Sequence, residues 1–453
     1  MHSGTPAGRE RWNDPVSRRA FLGAAAATGA GVALSGRGLR IPLDAGRRLA
    51  PAPGSRPHPR LPEGTDTIPQ IEHIVVVMME NHSFDNYLGM LGRGDGFRLD
   101  RHGRPRDTNP GTTGKPVRAF HMPSTCQLNA VPSQAWNATH ISMDGRRNDG
   151  FVKASGPVAM GYWTGDDLPF YYGLARTFVL CDRWFASTPS QTFSNRRFLL
   201  AATASGHITN DFNFSVGPPN GTILERFDAH GITWRDYFTS LPSAALFPNA
   251  TKNNSDKVVH IEQYFTDAAA GKLPAFSLVE PDFNKQSEEN PQDIRVGEEF
   301  AARVINAAME GPGWPKTLVV WCYDEHGGYY DHVPPPRAVA PDSTPPDIHV
   351  PPDQPGGYDR YGFRVPAVVI SPRARRNHVS HVVYDHTSIL KFIETKWNLP
   401  ALTKRDAHAA DLLDCLDLHG PPSFRQPPSL PKPALTRNPA ACAPITEAML
   451  PTP

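Results

Sequence analysis

The run from Ile71 to Asp85 constrains this chain more than any other feature. Ile71-Glu72-His73-Ile74-Val75-Val76-Val77-Met78-Met79 has an apolar, β-branched core, and Glu80-Asn81-His82-Ser83-Phe84-Asp85 follows without a break. Such a core predicts a buried strand. Open α/β sheets place their ligands outside the C-terminal ends of their strands. Glu80 and Asn81 are therefore two oxygen donors delivered side by side to a site edge. A second strand repeats the pattern: Thr317-Leu318-Val319-Val320-Trp321-Cys322-Tyr323 runs into Asp324-Glu325-His326-Gly327-Gly328. An acidic residue at one strand end is usually a turn or a helix cap. Two strands that each end in adjacent oxygen donors could clamp one hard cation between them.

Further strands are expected at 276–280, closed by Pro281, and at 365–371. Helices are expected at 192–205 and 388–396, and at 297–310, where Phe300, Val304 and Ala308 recur at i, i+4, i+8. Residues 171–180 read as a helix running into a short strand ending at Cys181. Residues 93–118 read as a long surface loop. Strands alternating with helices predict an α/β sandwich with a largely parallel sheet.

The 453 residues suffice for one large domain or two ordinary ones, and Lys plus Arg (46) nearly cancels Asp plus Glu (45). That balance gives no electrostatic argument for a nucleic-acid partner. Ser17-Arg18-Arg19-Ala20-Phe21-Leu22 has the form of a twin-arginine export signal, and the mild apolar run after it is too short to span a bilayer. Export by the twin-arginine translocase carries folded proteins, so the expected destination is outside the cell or at its wall. The expected organisation is signal and start of linker at 1–50, a Pro-rich linker at 51–67, a catalytic domain at 68–420 and a Pro-rich tail at 421–453. Five cysteines lack Cys-x-x-Cys spacing, which argues against structural zinc; Cys322 is expected to be a core thiol, and Cys415 and Cys442 could pair.

Glu80-Asn81-His82-Ser83-Phe84-Asp85 and the block 323–335, Tyr-Asp-Glu-His-Gly-Gly-Tyr-Tyr-Asp-His-Val-Pro-Pro, resemble the two signature blocks of the bacterial phosphoesterase family. That family contains non-specific phospholipases C and acid phosphatases. The resemblance extends from about Ile71 to about Leu416 and includes Phe120-His121, Trp136-Asn137-Ala138-Thr139-His140, Asn148-Asp149-Gly150-Phe151, Gly362-Phe363-Arg364-Val365-Pro366 and Tyr384-Asp385-His386-Thr387-Ser388. It implies a three-layer α/β/α sandwich similar to the alkaline phosphatase superfamily.

The resemblance also assigns roles. Thr192, followed by two residues and then Asn195-Arg196, matches the family's nucleophile block; Thr188 and Ser190 do not. Independently, Thr192 falls where a helix is expected to begin, and the dipole there favours anions. A plain N-cap is the ordinary alternative for a Thr in that place. The implied metal ligands are Glu80, Asn81, Thr192, Asp324 and Glu325. With no His or Cys among them Ca²⁺ is favoured, with Mg²⁺, Mn²⁺ or Zn²⁺ as alternatives. Asn195 and Arg196 are expected to reach a phosphate at the helix start, and Arg197 to face solvent. His121 and His140 are expected to bind phosphoryl oxygens or move protons, Arg147 to supply positive charge, and His326 to belong to the site, with His332 anchoring the Pro-rich loop after it. In one departure, Asn290-Pro291 stands where the family usually has His-Pro, and a carboxamide cannot transfer a proton at neutral pH.

The expected activity is a secreted phospholipase C that acts on phospholipid, with transient membrane-surface contact. A phosphomonoesterase of acid-phosphatase type and a catalytically silent metal-stabilised binding protein are the competing readings.

Overall fold

The computed structural model describes residues 51–128, 132–252, 254–434 and 445–450. The twin-arginine segment and Cys442 lie outside the described residues. An eight-stranded sheet is built from β1 (His73–Met79), β2 (Val179–Cys181), β3 (Trp234–Phe238), β4 (Val258–His260), β5 (Phe276–Val279), β6 (Thr317–Tyr323), β7 (Ala367–Ile370) and β8 (Val379–Ser380). Its order is β8-β2-β7-β6-β1-β5-β3-β4. Only β7 runs antiparallel to its neighbours. The fold is therefore α/β with a largely parallel sheet. Every residue of β5, β6 and β7 is buried, so the middle of the sheet is covered on both faces.

Helix α1 spans Trp136–Met143, α2 Pro169–Thr177, α3 Thr192–Ala201, α4 Ile294–Glu310 and α5 His386–Trp397. α4 begins three residues before its predicted start because the Asp293 side chain accepts the Arg295 N–H and caps it. It buries Phe300, Val304 and Ala308 as the periodicity requires. α3 stops at Ala201, short of the predicted end, where Ala202 turns into the left-handed region and its N–H reaches the Phe198 carbonyl.

The described residues of both Pro-rich stretches dock onto the body. The Gly54 N–H donates to the Ala401 carbonyl at 2.8 Å, and the Asn398 amide to the Leu61 and Pro62 carbonyls. Lys396 reaches Asp66 at 2.7 Å. In the tail, Phe424 is buried against Phe178, and its carbonyl accepts from Trp314 Nε1 at 3.0 Å. Residues 93–118 carry a small antiparallel pair, Thr108–Pro110 with Pro116–Arg118. Cys126 is disulfide-bonded. Cys415, by contrast, is a free buried thiol 3.8 Å from the free thiol of Cys181, so it does not pair with Cys442. Cys322 is free and buried, as its place in a strand predicts. No helix among the described residues is long and apolar enough to cross a membrane.

Candidate active site at the strand ends

β1 and β6 are neighbouring parallel strands in register, Met79 opposite Tyr323. The residues just past both ends must therefore come together, and the Asp324 N–H bonds the Met79 carbonyl at 3.2 Å. Glu80, Asn81, Asp324 and Glu325 are all buried at this edge. Gly327 explains the glycines of the second block. Its φ is +65°, and a Cβ there would collide with the Asn81 carbonyl. Close approach of the two strand ends thus requires glycine.

Thr192 is the first residue of α3 and buried, and Gln191 is the N-cap. The capping alternative for Thr192 is thereby removed. Its hydroxyl instead donates to Asn81 Oδ1 at 3.4 Å, tying the helix start to the end of β1.

Arg196 lies one turn further along α3 and points into the same carboxylates. Its Nε is 3.0 Å from Asp324 Oδ2, Nη1 2.6 Å from Glu280 Oε1 and Nη2 3.8 Å from Glu80 Oε1. Burial alone would lower its pKa, but Asp324, Glu280 and Glu80 outweigh that and raise it. Arg196 therefore balances charge within the protein and is not open to a phosphate as expected. Glu280, which directly follows β5, is a site residue missed in the sequence; the expected strand at 276–280 carried the same signal of an apolar run ending in a carboxylate.

One guanidinium is not enough for these carboxylates. Burial, and then repulsion from Asp324, pushes the pKa of both Glu80 and Glu325 well above the ordinary carboxylate range. Burial lifts Asp324 to about 6 even with Arg196 opposing. Glu80 Oε2 and Glu325 Oε1 are buried with no hydrogen-bond partner. Buried carboxylate oxygens without partners, in an all-oxygen donor set, fit a hard divalent cation. A nearby group, Asp85, Asp331 and His332, also has ligand-like spacing. There Arg364 already sits between the carboxylates, with Nε 2.9 Å from Asp331 and Nη2 3.1 Å from Asp85. His332 adds a bond to Asp85 at 2.7 Å, and Asp85 raises its pKa to about 9 against the pull of burial. This second cluster is charge-compensated and works as a clamp, joining both signature blocks to the Gly362–Pro366 block. His332 thus anchors to Asp85 of the first block.

The remaining expected site residues divide clearly. His326 packs behind Glu325, its Nδ1 3.2 Å from Oε2, and burial lowers its pKa to about 3, so it stays neutral. Asn195 does not face a ligand. Its side chain accepts from the Thr188 N–H and donates to the Thr188, Ser190 and Gln191 carbonyls, which holds the turn before α3. His121 is half exposed and bonded to Asp167 at 2.7 Å. His140 donates to the Trp136 carbonyl within α1 and lines a different, open cleft of about 940 Å³ with Asp144 and Arg360. Arg147 is 67% exposed and paired with Asp144 and Asp149. These three are not brought to Thr192. Arg197 does not face solvent; it is buried, donating to the Leu246 and Asp211 carbonyls. His386 was not singled out, yet its Nε2 donates to the Asp324 carbonyl at 2.7 Å and steadies that strand end. A cavity of about 340 Å³ opens over the site, lined by Asn81, Gln191, Asn210, Glu289 and Asn290 among others.

The sequence model of the phosphoesterase family matches residues 71–400, and the chain belongs to that family. It is 32% identical to non-specific phospholipase C3 of Arabidopsis thaliana over 395 residues, covering 77% of this chain and 74% of that one. It is 30% identical to phospholipase C B of Mycobacterium tuberculosis over 98% of this chain and 94% of the relative. The hemolytic phospholipase C of Pseudomonas aeruginosa is 30% identical over 93% of this chain and 64% of that protein. Among solved structures, a protein in the alkaline phosphatase superfamily from Vibrio parahaemolyticus superposes with a TM-score of 0.37 at 12% identity, covering 69% of this chain and 73% of that one. The relatives support a phosphoric ester hydrolase.

Proposed function

We propose that this chain is a secreted, metal-dependent phospholipase C that cleaves phosphatidylcholine-type lipids to diacylglycerol and a phosphorylated head group through a phospho-Thr192 intermediate. The observation that carries the reading is the buried Thr192 hydroxyl at the start of α3, bonded to Asn81 beside carboxylate oxygens that lack partners. Glu80, Asn81, Thr192, Asp324 and Glu325 would hold one divalent cation, Ca²⁺ first among the candidates. When bound, the cation supplies positive charge that favours the threonine alkoxide and offsets phosphoryl oxygens. The Thr192 Oγ bonds to phosphorus as its proton passes to solvent water, and the bond to the glycerol oxygen breaks, leaving a phosphocholine ester on Thr192. The glycerol oxygen takes a proton from solvent water and leaves as diacylglycerol, and a second water then cleaves the Thr192–phosphorus bond, releasing phosphocholine and restoring the hydroxyl. Asn81 orients the hydroxyl, Arg196 fixes Asp324 and Glu80, and His386 fixes the Asp324 backbone. The names of the relatives support phospholipid as substrate, and the Arg18-Arg19 pair supports export.

Thr192→Ala should abolish turnover and leave the fold intact, because the hydroxyl caps nothing. Acid-quenched protein should gain the mass of a phosphocholine group, mapped to Thr192, during turnover of phosphatidylcholine, and the mass of one phosphate during turnover of an aryl phosphate monoester. Substantial activity in the variant would mean that water attacks phosphorus directly. Turnover of the monoester alone would favour a phosphomonoesterase.

A further inference from the structure

The segment 207–218 leaves α3 and returns beside the catalytic cavity. It presents Phe212, Phe214 and Val216 at 50%, 45% and 50% exposure. Among the described residues, Phe212 and Phe214 are the two exposed phenylalanines. Their rings lie 6.3 Å apart, and Phe212 lies 5.1 Å from Phe193, which directly follows Thr192. The loop is held against the site. The Asn210 N–H donates to Gln191 Oε1 at 2.8 Å, and the Phe193 N–H to Asn210 Oδ1 at 2.9 Å. Gln191 and Asn210 both line the catalytic cavity, so the apolar patch is continuous with its mouth. Behind the loop lies a crevice of about 200 Å³ walled by Phe214, Val216, Leu246 and Phe247.

Charge selects the partner. The titratable residues of this segment are His207 and Asp211, paired with each other at 3.0 Å, and no lysine or arginine belongs to it. Binding driven by anionic headgroups needs clustered basic residues, which this segment lacks. Exposed aromatic and branched side chains on a segment without basic residues suit an uncharged or zwitterionic lipid surface.

We propose that residues 207–218 form the lipid-facing rim of the active site, with Phe212, Phe214 and Val216 inserted into the interfacial layer of a zwitterionic phospholipid bilayer. This assignment rests on the phospholipase C reading and adds how the enzyme meets its substrate. Insertion would hold the cavity mouth at the level of the lipid phosphates.

Cosedimentation of the full chain with phosphatidylcholine vesicles, at low and high salt, tests it. Wild type should bind, with little dependence on salt. A Phe212→Ser/Phe214→Ser/Val216→Ser variant should bind at least ~10-fold more weakly, from the apolar area it removes. It should hydrolyse a soluble short-chain phosphodiester at the wild-type rate. Phe214→Trp, in an otherwise intact chain, should show blue-shifted emission on vesicles and quenching by brominated lipid. Equal vesicle binding by wild type and triple variant would overturn the proposal. So would binding that requires anionic lipid, or an emission spectrum of the Phe214→Trp variant that vesicles leave unchanged. A wild-type dimer that the triple variant converts to monomer would also overturn it, since the patch would then belong to a second copy. If wild type bound through the loop but cleaved neither lipid nor soluble diester, the lipid-facing assignment would stand and the phospholipase reading would fall.

Discussion

Cation binding should stabilise this protein in a pH-dependent way, and the carboxylates at the strand ends set the size of the effect. Asp324 has its pKa raised from 3.8 to about 6, chiefly by burial. The folded state therefore favours its protonated form. The stability this contributes is complete below the unfolded pKa and is lost as pH rises through about 6. A shift of roughly two units at 1.36 kcal/mol per unit amounts to about 3 kcal/mol lost from Asp324 alone without metal. Glu80 and Glu325 act in the same direction. A cation that replaces those protons recovers the loss; at 100 times its Kd, binding contributes about 2.7 kcal/mol. With an unfolding entropy of about 2.1 cal/mol/K per residue over roughly 400 residues, this corresponds to about 3–4 °C in Tm. His326 and His386, held neutral by burial with pKa values of about 3 and 4, have the opposite sign: their contribution is present above the ordinary histidine pKa and lost in acid. They largely cancel when samples with Ca²⁺ and with chelator are compared at one pH. Differential scanning calorimetry should show almost no Ca²⁺ effect near pH 4.5 and a rise of at least about 3 °C near pH 7.5. Glu325→Gln should reduce that rise and stabilise the chelated protein at pH 7.5. A Ca²⁺ effect equal at both pH values, or undiminished in Glu325→Gln, would refute the assignment of the cation to these carboxylates.

Three other outcomes follow from the geometry. Arg364→Met should cost about 3–5 kcal/mol in urea unfolding, because it leaves Asp85 and Asp331 buried without their cation. His121→Ala and Arg147→Ala should each keep kcat/KM within about twofold of wild type, since both are surface ion-pair partners away from Thr192. Asn290→His should raise turnover of substrates with poor leaving groups more than that of an aryl phosphate; equal gains would point to a packing role for this position, where the amide now donates to the Leu128 carbonyl at 3.0 Å.

What the sequence made legible was mostly local. A β-branched run announces a buried strand, and two carboxylates at its end announce a site edge, so the order of residues alone brings Glu80, Asp324 and Glu325 together. Glu280 carried the same mark but only at the end of a four-residue strand. His121, His140 and Arg147 misled because their segments adjoin a separate apolar cluster, around Val117, Met143, Phe151, Tyr162 and Phe363. Which way that cluster packs is a tertiary fact that spacing does not encode. The phase of Arg196 could be read, since i and i+4 share a helix face. Whether carboxylates or a phosphate would meet it there could not.

That distinction reshapes the site. Four buried carboxylates, Glu80, Glu280, Asp324 and Glu325, gather around a single buried guanidinium. If Arg196 alone sufficed to balance them, two oxygens would not be left without partners and three carboxylates would not be driven toward their protonated forms. The clamp at Arg364 shows what a completed cluster looks like in the same protein: the partners of Asp85 and Asp331 are close, and His332 supplies a second positive charge. Both clusters are assembled from the same two signature blocks. One is closed by the protein's own cations, and the other keeps an unmet demand for positive charge beside the Thr192 hydroxyl, where a phosphoryl group would also bring negative charge. A divalent cation meets both demands at one point.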